Sequence, residues 1–239
     1  NGAASLPDLP VGAGLLYVEL AGDDPLELHE RATRVARAAG ALDHRHVTDA
    51  ATFAQLWRIR EEGAGLAGRA LQRPAVSGWE DAAVTPAHLA RYLNEFEQLM
   101  DDFDVHGVPY GHFGDGCVHV RIDFPLDEDR ARYRDFITEA ARLAARHEGS
   151  FSGEHGDGRA RSELLPLMYS PDAMRLFAAV KNVFDPDSLL NPGVLVDPEP
   201  IDESMRGQHR DWEPGLARTR GGLRLLHDGG SLGAAVHRC

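Results

Sequence analysis

An Asp115-Gly116 step stands between two extended runs, Tyr110-Gly-His112-Phe-Gly before it and Cys117-Val-His119-Val-Arg121 after it. Asp-Gly is a strong two-residue turn signal, so this stretch predicts an antiparallel hairpin. A turn centred on that step sets His112 opposite His119 and Tyr110 opposite Arg121. Directly opposed residues have Cβ atoms about 4.5–5.5 Å apart, a spacing at which two imidazoles can share one metal ion. Past the turn, Val118, Val120, Ile122 and Phe124 alternate with His119, Arg121 and Asp123. One face is therefore apolar and the other polar.

A second glycine-rich stretch, Gly153-Glu154-His155-Gly-Asp-Gly158, offers a carboxylate and a third imidazole. Two histidines with one carboxylate are a recurring metal-binding set that leaves a position for substrate. Two histidines on a sheet face also serve simply as polar surface, and both readings stand on pattern alone. His112, His119 and Glu154 are candidate ligands provided the fold carries Glu154 to the hairpin.

Helix signals are clear elsewhere. Asp24-Pro25 opens a helix that Gly40 stops, with Leu28, Ala32, Val35, Ala36 and Ala39 on one stripe. Thr48 or Asp49 caps a second, on which Phe53, Leu56 and Trp57 mark the buried face. Arg60 falls on that same face, where it either reaches out to solvent or grips an anion in a cleft. Thr85-Pro86 opens a third helix with Leu89, Tyr92, Leu93, Phe96, Leu99, Met100 and Phe103 inward. A fourth runs from Asp127 to about Glu148, with Tyr133, Phe136, Ile137, Ala140 and Ala144 inward. Ser170-Pro171 caps a fifth, with Ala173, Phe177, Val180 and Phe184 inward. Residues 15–20 and 42–48 read as strands. The tight hairpin among these elements predicts an α+β domain, its sheet mostly antiparallel and its helices packed on one face.

The organisation expected is a linker over 1–13, a domain over 14–196, and a Gly/Pro/Arg-rich connector over 197–239. A net charge of −13 argues against nucleic acid or an anionic membrane as partner. No apolar run reaches the roughly 20 residues of a membrane span. Cys117 and Cys239 make no disulfide framework, and a cytoplasmic setting is expected.

Three motifs then occur in order: Gly111-His-Phe-Gly-Asp-Gly-Cys-Val-His119, Ser152-Gly-Glu-His-Gly-Asp-Gly158, and Phe184-Asp-Pro-Asp-Ser-Leu-Leu-Asn-Pro-Gly193. Together they resemble the C-terminal domain of FAD-linked oxidases of the vanillyl-alcohol oxidase type. Within that group the resemblance is to the D-2-hydroxy acid dehydrogenases, which act on D-lactate, glycolate or D-2-hydroxyglutarate. It implies a ferredoxin-like substrate-binding cap laid over a separate FAD-binding domain, the partner of this chain within a longer protein. It also implies His112, His119 and Glu154 as metal ligands, His155 as catalytic base and Asn191 as the residue reaching the flavin. Arg60 would hold the substrate carboxylate, which settles its two readings. Arg121, standing where the 2-hydroxyglutarate enzymes tend to carry asparagine, is a second candidate for binding a carboxylate. Arg121 and Gly78-Trp-Glu-Asp81 also resemble longer members that continue into an iron–sulfur domain, with Cys239 then the first ligand of a 4Fe-4S cluster.

The chemistry expected is oxidation of a D-2-hydroxy acid to the 2-oxo acid. A divalent metal, zinc first with manganese or ferrous iron tolerated, acidifies the substrate hydroxyl. Imidazole titrates close to neutral pH, so His155 suits the role of proton acceptor. Adjacent residues on an extended segment point opposite ways, which separates Glu154 as ligand from His155 as base. Two rival readings are a metal-dependent hydrolase without flavin and a non-catalytic α+β binding module.

Overall fold

The computed structural model describes residues 8–12, 14–61, 71, 75–124 and 129–203, without the side chains of residues 60, 76–78 and 80. The expected connector beyond 203, with Cys239, and most of the expected linker lie outside the described residues. Two compact units divide between Gly63 and Ala64.

The first unit carries helices α1, Pro25–Ala38, and α2, Ala50–Glu61. The Asp24 carboxylate accepts the Leu26 amide at 2.8 Å and the Asp49 carboxylate accepts that of Thr52 at 2.8 Å, so aspartate caps both helices. Gly40 adopts the left-handed φ of 64° that ends α1. Two expectations fail in this unit. Residues 15–20 and 42–48 are not strands. Their backbones pair with no neighbouring strand among the described residues, and an extended run without a partner is not a sheet element. The apolar stripe of α1 buries no residue either, and Val35 is exposed.

The second unit holds the sheet. Strands β1, Val76–Ala83, β2, Gly107–Tyr110, and β3, Cys117–Ile122, lie in the order β1-β3-β2, antiparallel throughout. Helices α3, Pro86–Asp102, and α4, Arg130–Arg146, pack on one face of that sheet. The predicted class, α+β with helices on one face, is borne out. Trp79, Ala82, Val118, Val120 and Ile122 meet Leu89, Tyr92, Phe96 and Met100 of α3 and Tyr133, Phe136, Ile137, Ala140 and Ala144 of α4. Each large side chain withdrawn from water here contributes about 1.5–3 kcal/mol. Phe96 stacks on Trp79 and meets Phe136 edge-on, with ring centroids 6.2 and 6.1 Å apart.

The buried Trp79 indole donates to the Tyr92 hydroxyl at 3.1 Å. Tyr92→Phe leaves that indole N–H without an acceptor and is expected to cost about 1–2 kcal/mol. The measurement is the urea midpoint, and an unmoved midpoint would show that the hydroxyl does not hold the indole.

After α4 the chain passes through a short helix α5, Gly158–Arg161, and a 3-10 segment, Ser162–Leu167, to helix α6, Pro171–Phe184. Ser170 caps α6, as expected. Its inward face is overturned, because α6 buries no residue, and Val180 and Phe184 are exposed. Among its contacts, Met174 packs against the core and Phe177 meets Tyr169 edge-on at 5.1 Å. No helix among the described residues is long and apolar enough to cross a membrane.

Candidate active site

The hairpin forms, but not in the expected register. Tyr110 pairs with His119 and Val108 with Arg121. A 3-10 turn over Phe113–Asp115 intervenes, with the Asp115 and Cys117 amides both donating to the His112 carbonyl. That turn consumes residues the two-residue turn would have paired, so His112 lies beyond the strand end rather than across from His119. Gly116 follows at φ 76°, and a Cβ there would sit 1.8 Å from the Val84 carbonyl oxygen. Only glycine fits that crossing.

Four of the candidate side chains still meet. Glu154 Oε1 lies 3.2 Å from His119 Nε2 and 3.9 Å from both His112 Nε2 and His155 Nε2. Three imidazoles from three chain segments therefore converge on one carboxylate oxygen. His119 is buried, while the side chains of His112, Glu154 and His155 are 41%, 49% and 50% exposed. The donors thus form a rim open to a ligand above a buried histidine. The His155 ring stacks on that of His119, 4.9 Å between centroids and 12° from parallel, and the Tyr110 ring also lies against His119, at 5.3 Å.

Glu154 and His155 do not diverge as an extended segment would require. The reason is Asp81, a carboxylate absent from the expected site. Asp81 is buried, and its two oxygens accept the Glu154 amide at 2.9 and 3.0 Å and the His155 amide at 2.8 Å. It bends the loop so that both side chains emerge on one side. Gly153 permits the approach, since a Cβ there would meet Asp81 Oδ1 at 3.0 Å and Cys117 Sγ at 3.2 Å.

A β-bulge delivers Asp81. Trp79 pairs with Val120 and Ala82 with Val118, so three positions on β1 span two on β3. Strict alternation would put Asp81 on the same face as Trp79, in the core. The extra residue turns it to the polar face instead. No local signal marks that bulge in Gly78-Trp-Glu-Asp81, beyond the weakening of the strand by its glycine.

Cys117 lies beneath the cluster, its Sγ 3.9 Å from both Asp81 Oδ1 and His119 Nε2. Burial, then the negative charges of Glu154, Asp81 and Asp115, push its thiol up to about 11. It therefore stands as a neutral thiol at neutral pH, leaving imidazoles and carboxylates as the ready donors. Among the described residues two sets of three donor atoms lie within 4.8 Å of one another: Asp81, His119 and His155, and Cys117, His119 and Glu154. His119 is common to both. His112 joins the cluster through Glu154. A cavity of about 270 Å³ beside Glu154 is walled by Ala83, His112, Asp115, Cys117, Gly153 and Glu154.

The remaining candidates are placed less closely. Arg121 projects from β3 two residues beyond His119, on the same face, but does not wall the cavity. Asn191 sits in the left-handed region, φ 50°, on an exposed loop after α6. That loop is tied down by Asp185, which accepts the Leu189 and Leu190 amides at 2.9 Å and pairs with Lys181. The Lys181 ammonium, then those amides, hold the Asp185 carboxyl below the usual range despite its burial. Arg60 lies on α2 in the first unit, and its side chain lies outside the described residues.

Residues 4–195 match the family described as FAD linked oxidases, C-terminal domain. A D-2-hydroxyglutarate dehydrogenase of Escherichia coli (strain K12) is 32% identical over 208 residues, covering 80% of this chain and 20% of that protein. A D-lactate dehydrogenase of Archaeoglobus fulgidus is 31% identical over 169 residues, covering 70% of this chain and 36% of its own. Glycolate oxidase subunit GlcD of Escherichia coli (strain K12) is 32% identical over 189 residues, 77% of this chain and 37% of that subunit. The chain thus spans between 20% and 37% of the length of these relatives.

Proposed function

The chain belongs to the C-terminal domain family of FAD-linked oxidases, and on that premise we propose that it binds substrate and metal in a longer protein oxidising a D-2-hydroxy acid to the 2-oxo acid. The observation that carries this reading is the convergence of three imidazole nitrogens on Glu154 Oε1 within 3.9 Å. Neutral imidazole and carboxylate are the donors a zinc-class ion prefers, and a buried histidine with exposed partners leaves coordination open on the solvent side. The donor set therefore fits a divalent metal, held by His112, His119 and Glu154. A bound metal would supply positive charge that acidifies the substrate hydroxyl, and a flavin would supply the two-electron acceptor.

The chain's own residues do the rest. His155 accepts the hydroxyl proton at Nε2, the nitrogen turned toward Glu154. Its ring is held against His119 by stacking and its backbone by Asp81, so the acceptor is oriented before substrate arrives. Arg121 offers a guanidinium fork for the substrate carboxylate. Asn191, on the exposed loop after α6, would face a flavin.

The test is anaerobic flavin bleaching by the full-length protein, after zinc or manganese reconstitution, with D-lactate, glycolate and D-2-hydroxyglutarate offered in turn. Bleaching by one D-acid and not its L-enantiomer is expected. His119→Ala should lower bound metal from about one ion per chain to near none, since it removes the one donor common to both clusters. Full metal content in that variant, or no bleaching by any 2-hydroxy acid, overturns the reading.

A further inference from the structure

Cys117 has no part in the chemistry above, yet its sulfur lies inside the donor cluster. Sγ is 3.9 Å from His119 Nε2, which is itself 3.2 Å from Glu154 Oε1. The ligand atoms of these three residues all lie within 4.8 Å of one another. We propose that Cys117 is the donor that decides which ion this site keeps. A thiophilic ion of the zinc class takes the Cys117 sulfur beside His119 and Glu154, whereas manganese is held by imidazole and carboxylate alone. The proposal rests on the metal-binding reading above and adds a selecting ligand to it.

The separations suit one ion. Zinc–sulfur bonds of about 2.3 Å and zinc–nitrogen bonds of about 2.0–2.1 Å, set at a tetrahedral angle, place sulfur and nitrogen about 3.5 Å apart. The observed 3.9 Å is within reach of a small rotation of the cysteine side chain. Nitrogen and carboxylate oxygen on the same ion stand about 3.4 Å apart by the same geometry, close to the observed 3.2 Å. The sulfur is buried but not sealed off. Cys117 walls the cavity of about 270 Å³ together with His112, Asp115 and Glu154, so an ion entering there meets it.

The charges around the sulfur point the same way. Asp81 Oδ1 lies 3.9 Å from Sγ, and Glu154 and Asp115 add negative charge nearby. Those carboxylates oppose a bare thiolate but attract a cation, so the sulfur joins the cluster only with an ion present. Its proton passes to solvent as the sulfur–zinc bond forms, because a coordinated thiol is deprotonated outright. Thiolate sulfur is a soft donor that favours zinc, while imidazole and carboxylate serve zinc and manganese alike. One sulfur therefore separates two ions that the other donors do not.

The test uses the full-length protein, loaded with zinc or with manganese and read by X-ray absorption at the metal edge, which a flavin does not obscure. Zinc in the wild type should show a sulfur neighbour at about 2.3 Å that Cys117→Ser loses. Manganese should show nitrogen and oxygen alone in both. Serine is close to the thiol in size, and far-UV circular dichroism verifies the fold of the variant. With both ions offered together, Cys117→Ser should lower the preference for zinc by on the order of 10–100-fold, the loss typical when a supporting group of a metal site is removed. Zinc bound through nitrogen and oxygen alone, a sulfur that persists in Cys117→Ser, or an unchanged preference overturns this proposal and leaves the metal-binding reading standing. A protein that takes up neither ion overturns both.

Discussion

His155→Asn in the full-length protein should lower turnover by about 10²–10⁴-fold, the range spanned by removal of a positioned general base. The expectation rests on where the ring lies. Its Nε2 is 3.9 Å from Glu154 Oε1, at the edge of the donor cluster and half exposed, so it can meet a substrate held there. Asparagine keeps a polar side chain of shorter reach and cannot take a proton. Metal content should stay near that of the wild type, because His112, His119 and Glu154 remain. The split between the two readouts is the informative part. A variant that loses metal and turnover together would make His155 a ligand, and one that keeps its rate would remove it from the chemistry.

Asp81→Ala is expected to be the most damaging single change to the loop that carries Glu154 and His155. The buried carboxylate accepts two backbone amides through three contacts of 2.8–3.0 Å. Removing it strands both N–H groups and opens a small cavity beneath the loop. The cost should be about 2–6 kcal/mol, given about 1–3 kcal/mol for each of the two buried donors left unsatisfied. Denaturant unfolding measures it. The consequence for the site goes further than stability. Without Asp81 the Glu154 and His155 amides lose the acceptor that bends the loop, so folded Asp81→Ala protein should also bind metal more weakly. Asp81→Asn retains one acceptor oxygen and should recover part of both losses. An Asp81→Ala chain that unfolds at the wild-type denaturant concentration and keeps its metal would show that the loop holds its shape by other means.

Much of this was legible in the residues. The caps at Asp24, Asp49 and Ser170 act within one helical turn, so local chemistry determines them. The inward stripes of α3 and α4 were legible because both helices lie on a sheet and must bury one face. The alternation after the turn correctly separated Val118, Val120 and Ile122 from His119. The residue types offered His112, His119 and Glu154 as one donor set on condition that the fold carried Glu154 to the hairpin, and these side chains, with His155, do converge.

The tertiary structure decided the remainder. Periodicity reports amphipathicity but not whether a partner surface exists, which is why α1 and α6 bury no residue despite their stripes. Strands read from residues 15–20 and 42–48 needed neighbours that local sequence does not supply. The hairpin register followed the 3-10 turn at Phe113–Asp115, whose hydrogen bonds to the His112 carbonyl outweigh the simple Asp-Gly turn. Asp81 is the clearest case. Its distance in sequence from Glu154 is 73 residues, and its face was set by a bulge against β3. Sequence by itself determined which residues could do the chemistry and which local turns could present them. The sheet register, the bulge and one buried carboxylate determined which of them meet, because those depend on pairing between segments far apart in the chain.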